Sequence, residues 1–125
     1  MSKVASALIA FVAIEHLGFL VLEMFLWTTP TGMQVFGLTP AFAEQSSALA
    51  ANQGLYNGFL AAGLVWSLIR KEDSFAIKIF FLSCVVVAGV FGALTAKSSI
   101  LVVQGAPAFA ALVLVVLSRR KELSK

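Results

Sequence analysis

Long apolar stretches almost free of charge, broken by a few clustered basic residues, constrain this chain more than any other feature. Threaded four times through a membrane, it places Lys3, Arg70, Lys71, Lys78, Arg119, Arg120, Lys121 and Lys125 on one side and only Lys97 on the other. Cytoplasmic flanks are enriched in Lys and Arg, so both termini are expected in the cytoplasm. Hydrophobic residues make up 60% of the chain and charged ones 12%, with a mean hydropathy of +0.97, well outside the range of soluble domains. The 125 residues can supply about four spans of roughly 20 residues with short connections. The expected fold is all-α: an antiparallel four-transmembrane-helix bundle forming one integral membrane domain over residues 1–125, multi-pass in the cell (inner) membrane, with lipid as its partner.

In a soluble protein the +3 net charge and pI near 9.4 would suggest nucleic acid. Here the basic residues cluster at span ends and read as headgroup anchors and topology signals, so no nucleic-acid partner is expected. A lone cysteine, Cys84, excludes a disulfide framework within one chain and reads as a buried structural thiol. The first apolar stretch, Val4 to Trp27, is longer than the ~7–15 residues of a signal-peptide core and lacks a small-residue cleavage pattern. It is expected to stay as the first span, with Trp27 at the outer interface.

Spans are expected at about 4–27, 40–70, 75–96 and 98–118. The stretch Thr28 to Thr39 reads as an outer loop. Thr39-Pro40 reads as a helix start, with threonine as N-cap and proline at the first helical position. Ser74 is a candidate cap for the third span, and Lys78 is expected to snorkel back to the cytoplasmic surface. Ala50, Gly54, Gly58 and Ala62 form a smooth stripe that lets a helix approach closely, as do Ala88/Gly92 and Gly89/Ala93, and these faces suggest a homo-oligomer. Pro107 removes a backbone hydrogen bond and crowds the Val103 carbonyl, so a kink is expected there.

Polar residues within the spans mark the candidate site. At 1.5 Å per residue, His16 lies roughly 20 Å above Lys3 and Asn57 a similar distance above Arg70, so the two should share a level. Glu23 lies two turns above His16 on nearly the same face, whereas Glu15 points about 100° away. Gln53 and Asn57 share a face. Gln104 descends about 9 Å from the outer turn, to between the levels of Glu23 and Asn52. A carboxylate at mid-span is penalised by roughly 2.5–3.5 kcal/mol and usually faces the bundle interior or a wet cavity. His16, Glu23, Asn52, Gln53, Asn57 and Gln104, with Glu15 beside them, are therefore expected around a pocket for a small amphipathic or apolar ligand. His16 and Glu23 would be its ionisable pair and the catalytic candidates if any chemistry occurs.

Two other readings stay open. The same seam could carry a proton or ion, or it could simply glue helices, each contact contributing about 0.6 kcal/mol. One imidazole and no usable thiolate argue against a metal centre, because zinc takes three or four N, S or carboxylate ligands. Phosphate loops are absent, and no cofactor is expected.

The segments Glu15-His16-Leu17, Leu22 to Pro30, Val35-Phe36-Gly37-Leu38, Ala50 to Phe59 and Val102 to Ala108 closely resemble the small bacterial membrane proteins known as domain of unknown function 1304. That resemblance covers nearly the whole chain; it implies membrane placement and supplies no mechanism. The second span is also similar to the second helix of the membrane-associated eicosanoid and glutathione metabolism superfamily, homotrimers of four-helix subunits with active sites between neighbours. Glu44 and Asn52 match its spacing. Gln45 stands where that family has arginine and Leu55 where it has an acid, so the resemblance implies a possible trimer but no glutathione conjugation.

Overall fold

The computed structural model describes residues 2–124, which form helices and turns with no strand among them. The helices are α1 (Lys3–Met24), α2 (Pro30–Phe36), α3 (Pro40–Ile69), α4 (Ser74–Thr95) and α5 (Ala106–Leu123), the last entered through a π-helical turn over Leu101–Gly105. Three helical stretches are long and apolar enough to cross a membrane: α1, α4 and the continuous run Leu101–Leu123. The longest helix, α3, has 30 residues, but it carries Glu44, Gln45, Asn52, Gln53 and Asn57, which lower its hydropathy.

Helix starts follow local capping chemistry. Ser2 Oγ accepts from the Ala5 amide at 3.2 Å, and Thr39 Oγ1 accepts from the Phe42 amide at 3.3 Å, with Pro40 at the first helical position. The same signals build α2 where a loop was expected over residues 28–39. Thr29 Oγ1 accepts from the Gly32 amide at 3.3 Å, Pro30 opens the helix, and Gly37 at φ 67° ends it in the left-handed conformation that only glycine adopts without strain. In consequence α1 stops at Met24 instead of running to Trp27. Trp27 turns back instead: its indole Nε1 donates to Ser46 Oγ at 3.0 Å, and its ring lies 4.7 Å from that of Phe36. Gly32 fits directly against the Leu26 carbonyl, where any Cβ would clash. The short helix is thereby fastened between the end of α1 and the first turns of α3.

Elsewhere the outcome also differs from the sequence expectation. Ser74 is the first residue of α4, not its cap; Asp73 precedes it at φ 56° without a side-chain capping bond. Lys78 is only 5% exposed, covered by the neighbouring helices and with its charge facing Glu122 near the end of α5. Helix resumes at Ser99, and α5 continues to Leu123, past the expected end near residue 118 and through Arg119 and Arg120. Pro107 lies just beyond the π-helical turn, whose wider ring relieves the crowding of a helical proline by admitting one more residue.

Each long helix packs on two others, in the order α1–α3–α4–α5 and back to α1. The small-residue faces are used within the chain. A Cβ on Gly54 would meet Glu23 and Met24, one on Gly58 would meet Leu20, and one on Gly89 would lie 2.7 Å from the Cα of Gly105. Backbone approach of this kind is how helices associate where lipid gives no hydrophobic drive. Toward the ends that carry Lys3 and Arg70, Ile9, Val12, Leu64, Leu82, Val85 and Ala111 close a dry core.

Because Gly89 faces backbone, Gly89→Ala is expected to destabilise the protein by about 1–3 kcal/mol in a detergent-unfolding titration. Gly18 faces open space, so Gly18→Ala is expected to be neutral or to stabilise by up to about 1 kcal/mol. Equal effects of the two substitutions would contradict this packing.

Candidate functional site

Above the dry core the interior turns polar. His16 is completely buried on the inner face of α1. Its Nδ1 lies 2.8 Å from the Val12 carbonyl, one turn earlier, and because a carbonyl only accepts, Nδ1 carries the proton. The lone pair on Nε2 then accepts from Gln104 Nε2 at 3.0 Å, a bond that ties α1 to the π-helical turn before α5. The ring of Phe19 meets the imidazole edge-on at 5.4 Å. A neutral imidazole is thus satisfied at both nitrogens by groups that also fix its orientation.

Two turns further along α1, Glu23 Oε2 accepts from Asn57 Nδ2 at 2.7 Å, tying α1 to α3. Gly54, one turn from Asn57, makes this possible by letting the Leu20 carbonyl and the Glu23 side chain of α1 come close. The two inter-helix bonds differ from the pairing expected from depth. His16 meets neither Asn57 nor a carboxylate, and Asn57 lies level with Glu23. The ends of α1 and α3 are offset by about two turns, roughly 10 Å, so equal residue counts from the two ends do not mark equal heights. Gln104 sits inside the π-helical turn, where the wider ring turns side chains from their α-helical directions, and it meets His16, below the level expected for it.

Between these bonds and the end of α4 opens a cavity of about 660 Å³. Glu23, Gln53, Asn57 and Gln104 supply its polar wall, and Phe19, Phe91 and Val103 its apolar wall. Val35 and Phe36 of α2 border it from one side, and Lys97 and Ser99 of the α4–α5 turn stand at its rim. Gln53 makes no hydrogen bond among the described residues, so its amide is available to whatever enters.

Of the seven residues singled out from sequence, four therefore line one cavity, and His16 lies behind Gln104. The remaining two do not join them. Asn52 is exposed and outside the cavity lining, and Glu15 is half-buried on the flank of α1, its Oε2 enclosed without a hydrogen-bond partner among the described residues. Sequence reasoning missed Lys97, Ser99 and the α2 residues. Lys97 did carry a signal, as the only basic residue assigned to the outer side.

Comparison with known proteins gives kinship without an activity. A relative, the uncharacterised protein YpaA of Lactococcus lactis subsp. lactis (strain IL1403), is 31% identical over 104 residues, covering 82% of this chain and 87% of its own. No solved structure matches the chain, and nothing supports kinship with the eicosanoid and glutathione superfamily. The family model described as protein of unknown function (DUF1304) matches residues 10–116, most of the chain and all of the candidate site residues from Glu15 to Gln104, and the chain belongs to that family.

Proposed function

We propose that this is a four-span membrane protein that binds a small amphipathic molecule in the cavity between its helices. Glu23, Asn57, Gln53 and Gln104 would contact the polar part of the ligand, and His16 would position Gln104. The observation that carries this reading is the cavity of about 660 Å³, which falls within the ~300–1,000 Å³ typical of ligand sites. Its mixed lining adds support, since convergent polar groups on an otherwise apolar wall suit a molecule with both characters. A seam serving only as glue would leave no such space between its helices.

Four spans are supported by α3, which at about 1.5 Å per residue would extend roughly 45 Å, enough to cross a bilayer beside the three apolar helices it accompanies. Its Asn57 would be sheltered at the cavity wall, and Gln53 would open onto the same space. A proton path finds less support, because His16 Nδ1 is sealed on its own helix by the Val12 carbonyl.

Native mass spectrometry of protein released from mild detergent tests the ligand. The wild type is expected to retain a bound organic mass, and Glu23→Ala and Asn57→Ala to lose it while keeping their helical signal. A wild type that carries nothing, or variants that retain the mass equally, would refute the reading. For the topology, reporter fusions at either terminus are expected to report the cytoplasm, and a cysteine placed at Ser99 to react with an impermeant thiol reagent from the opposite side. Reaction from the cytoplasmic side would overturn the four-span arrangement.

A further inference from the structure

We infer that the ligand is a long-chain membrane phospholipid, its phosphate-bearing, hydrogen-bond-donating head in the cavity and its chain lying along the outer face of α4. This rests on the ligand-binding reading above and adds the ligand's chemical class. The deciding observation is continuity. A second, open and almost entirely apolar hollow of about 870 Å³ lies along the exposed face of α4 from Phe75 to Phe91, with Ser83 its one hydroxyl, and Ala88 and Phe91 line both it and the polar cavity. The two spaces therefore border each other at one place, with the cavity rim at Lys97 on one side and the apolar hollow on the other.

The order of chemistry along α4 matches that of a lipid. Lys97 and Ser99 lie at the helix end, where a headgroup sits; Phe91 and Ala88 come one to two turns inward; and Val87, Phe80 and Phe75 follow toward the opposite end. From Phe91 to Phe75 the helix advances about 24 Å, more than the ~15 Å hydrocarbon depth of one leaflet, so the hollow can follow a full chain. Lys97 is the only cation on the cavity wall and would hold the anionic group. Deeper in, the Glu23 carboxylate and the carbonyl oxygens of Gln53 and Gln104 accept hydrogen bonds. A head bearing ammonium or hydroxyl hydrogens satisfies them, and a quaternary ammonium, having no hydrogen to give, does not. Since lipid tails are as apolar as the hollow, the head supplies the selectivity and the hollow only guides the chain.

Photolabelling tests this in nanodiscs of phosphatidylcholine, using lysophosphatidylethanolamine with a diazirine at the chain end. Label is expected mainly on α4 between Phe75 and Phe80, with little on the exposed α1 residues Ile14 and Leu17. Excess lysophosphatidylethanolamine or lysophosphatidylglycerol should compete at least tenfold better than lysophosphatidylcholine. Lys97→Glu should reduce the α4 label at least fivefold. Val87→Trp, on the exposed face, should block the hollow and shift label away from Phe75 without affecting folding. Label spread evenly over the exposed faces, or indifferent to headgroup and to Lys97→Glu, would overturn the inference. If Glu23→Ala still loses a co-purifying mass in that case, the cavity reading stands and only the lipid assignment fails. A wild type with no bound mass and no selective label would sink both.

Discussion

Everything in this molecule depends on the demand that polar side chains placed among apolar helices find partners inside. Two bonds meet it: Asn57 to Glu23, and Gln104 to His16. Each joins α1 to a different helix, so α1 is held between α3 and α5 at two levels. Single contacts of this kind contribute only about 0.6 kcal/mol on average, so their value lies more in register than in strength. They fix which faces of α1, α3 and α5 point inward and at what height, and the core beneath them then closes mainly on apolar side chains, with the buried Ser67 hydroxyl satisfied by the Leu64 carbonyl of its own helix.

The cavity follows from how the helices approach. Gly54 and Gly58 admit α1 onto α3, and the Gly89–Gly105 contact draws α4 onto the start of α5. These close approaches lie on opposite sides of the bundle. Between them, the π-helical turn carries Gln104 toward α1. The space left is walled by amides and a carboxylate on one side and by Phe19 and Phe91 on the other, with α2 beside it, fastened by Trp27.

Sequence made the helices legible because hydrocarbon imposes simple lengths and because Thr39-Pro40 is a clear start signal. It also singled out Glu23, Gln53, Asn57 and Gln104 as residues that ought to converge, since polar groups in apolar spans have few other places to go. Pairing was not legible. Residue counting assumes straight helices with level ends, while α1 and α3 are offset and α5 is preceded by a π-helical turn whose only advance sign was Pro107. The helix at Pro30–Phe36 was hidden by its brevity, although Thr29, Pro30 and Gly37 spell out its start and stop. Lys78 is covered by neighbouring helices instead of lying at a lipid boundary, while its charge still faces the helix end that carries Glu122. The comparisons added kinship to a family without a described activity, so chemistry has to come from the site itself.

The bond between Glu23 and Asn57 is the most direct handle on this account. In protein labelled with carbon-13 and nitrogen-15 and held in lipid bilayers, solid-state NMR can detect a through-space correlation between the Glu23 carboxyl carbon and the Asn57 side-chain nitrogen. The 2.7 Å separation of donor and acceptor predicts a strong, rapidly building signal. No such signal, together with contact between Glu23 and lipid acyl chains, would contradict the account.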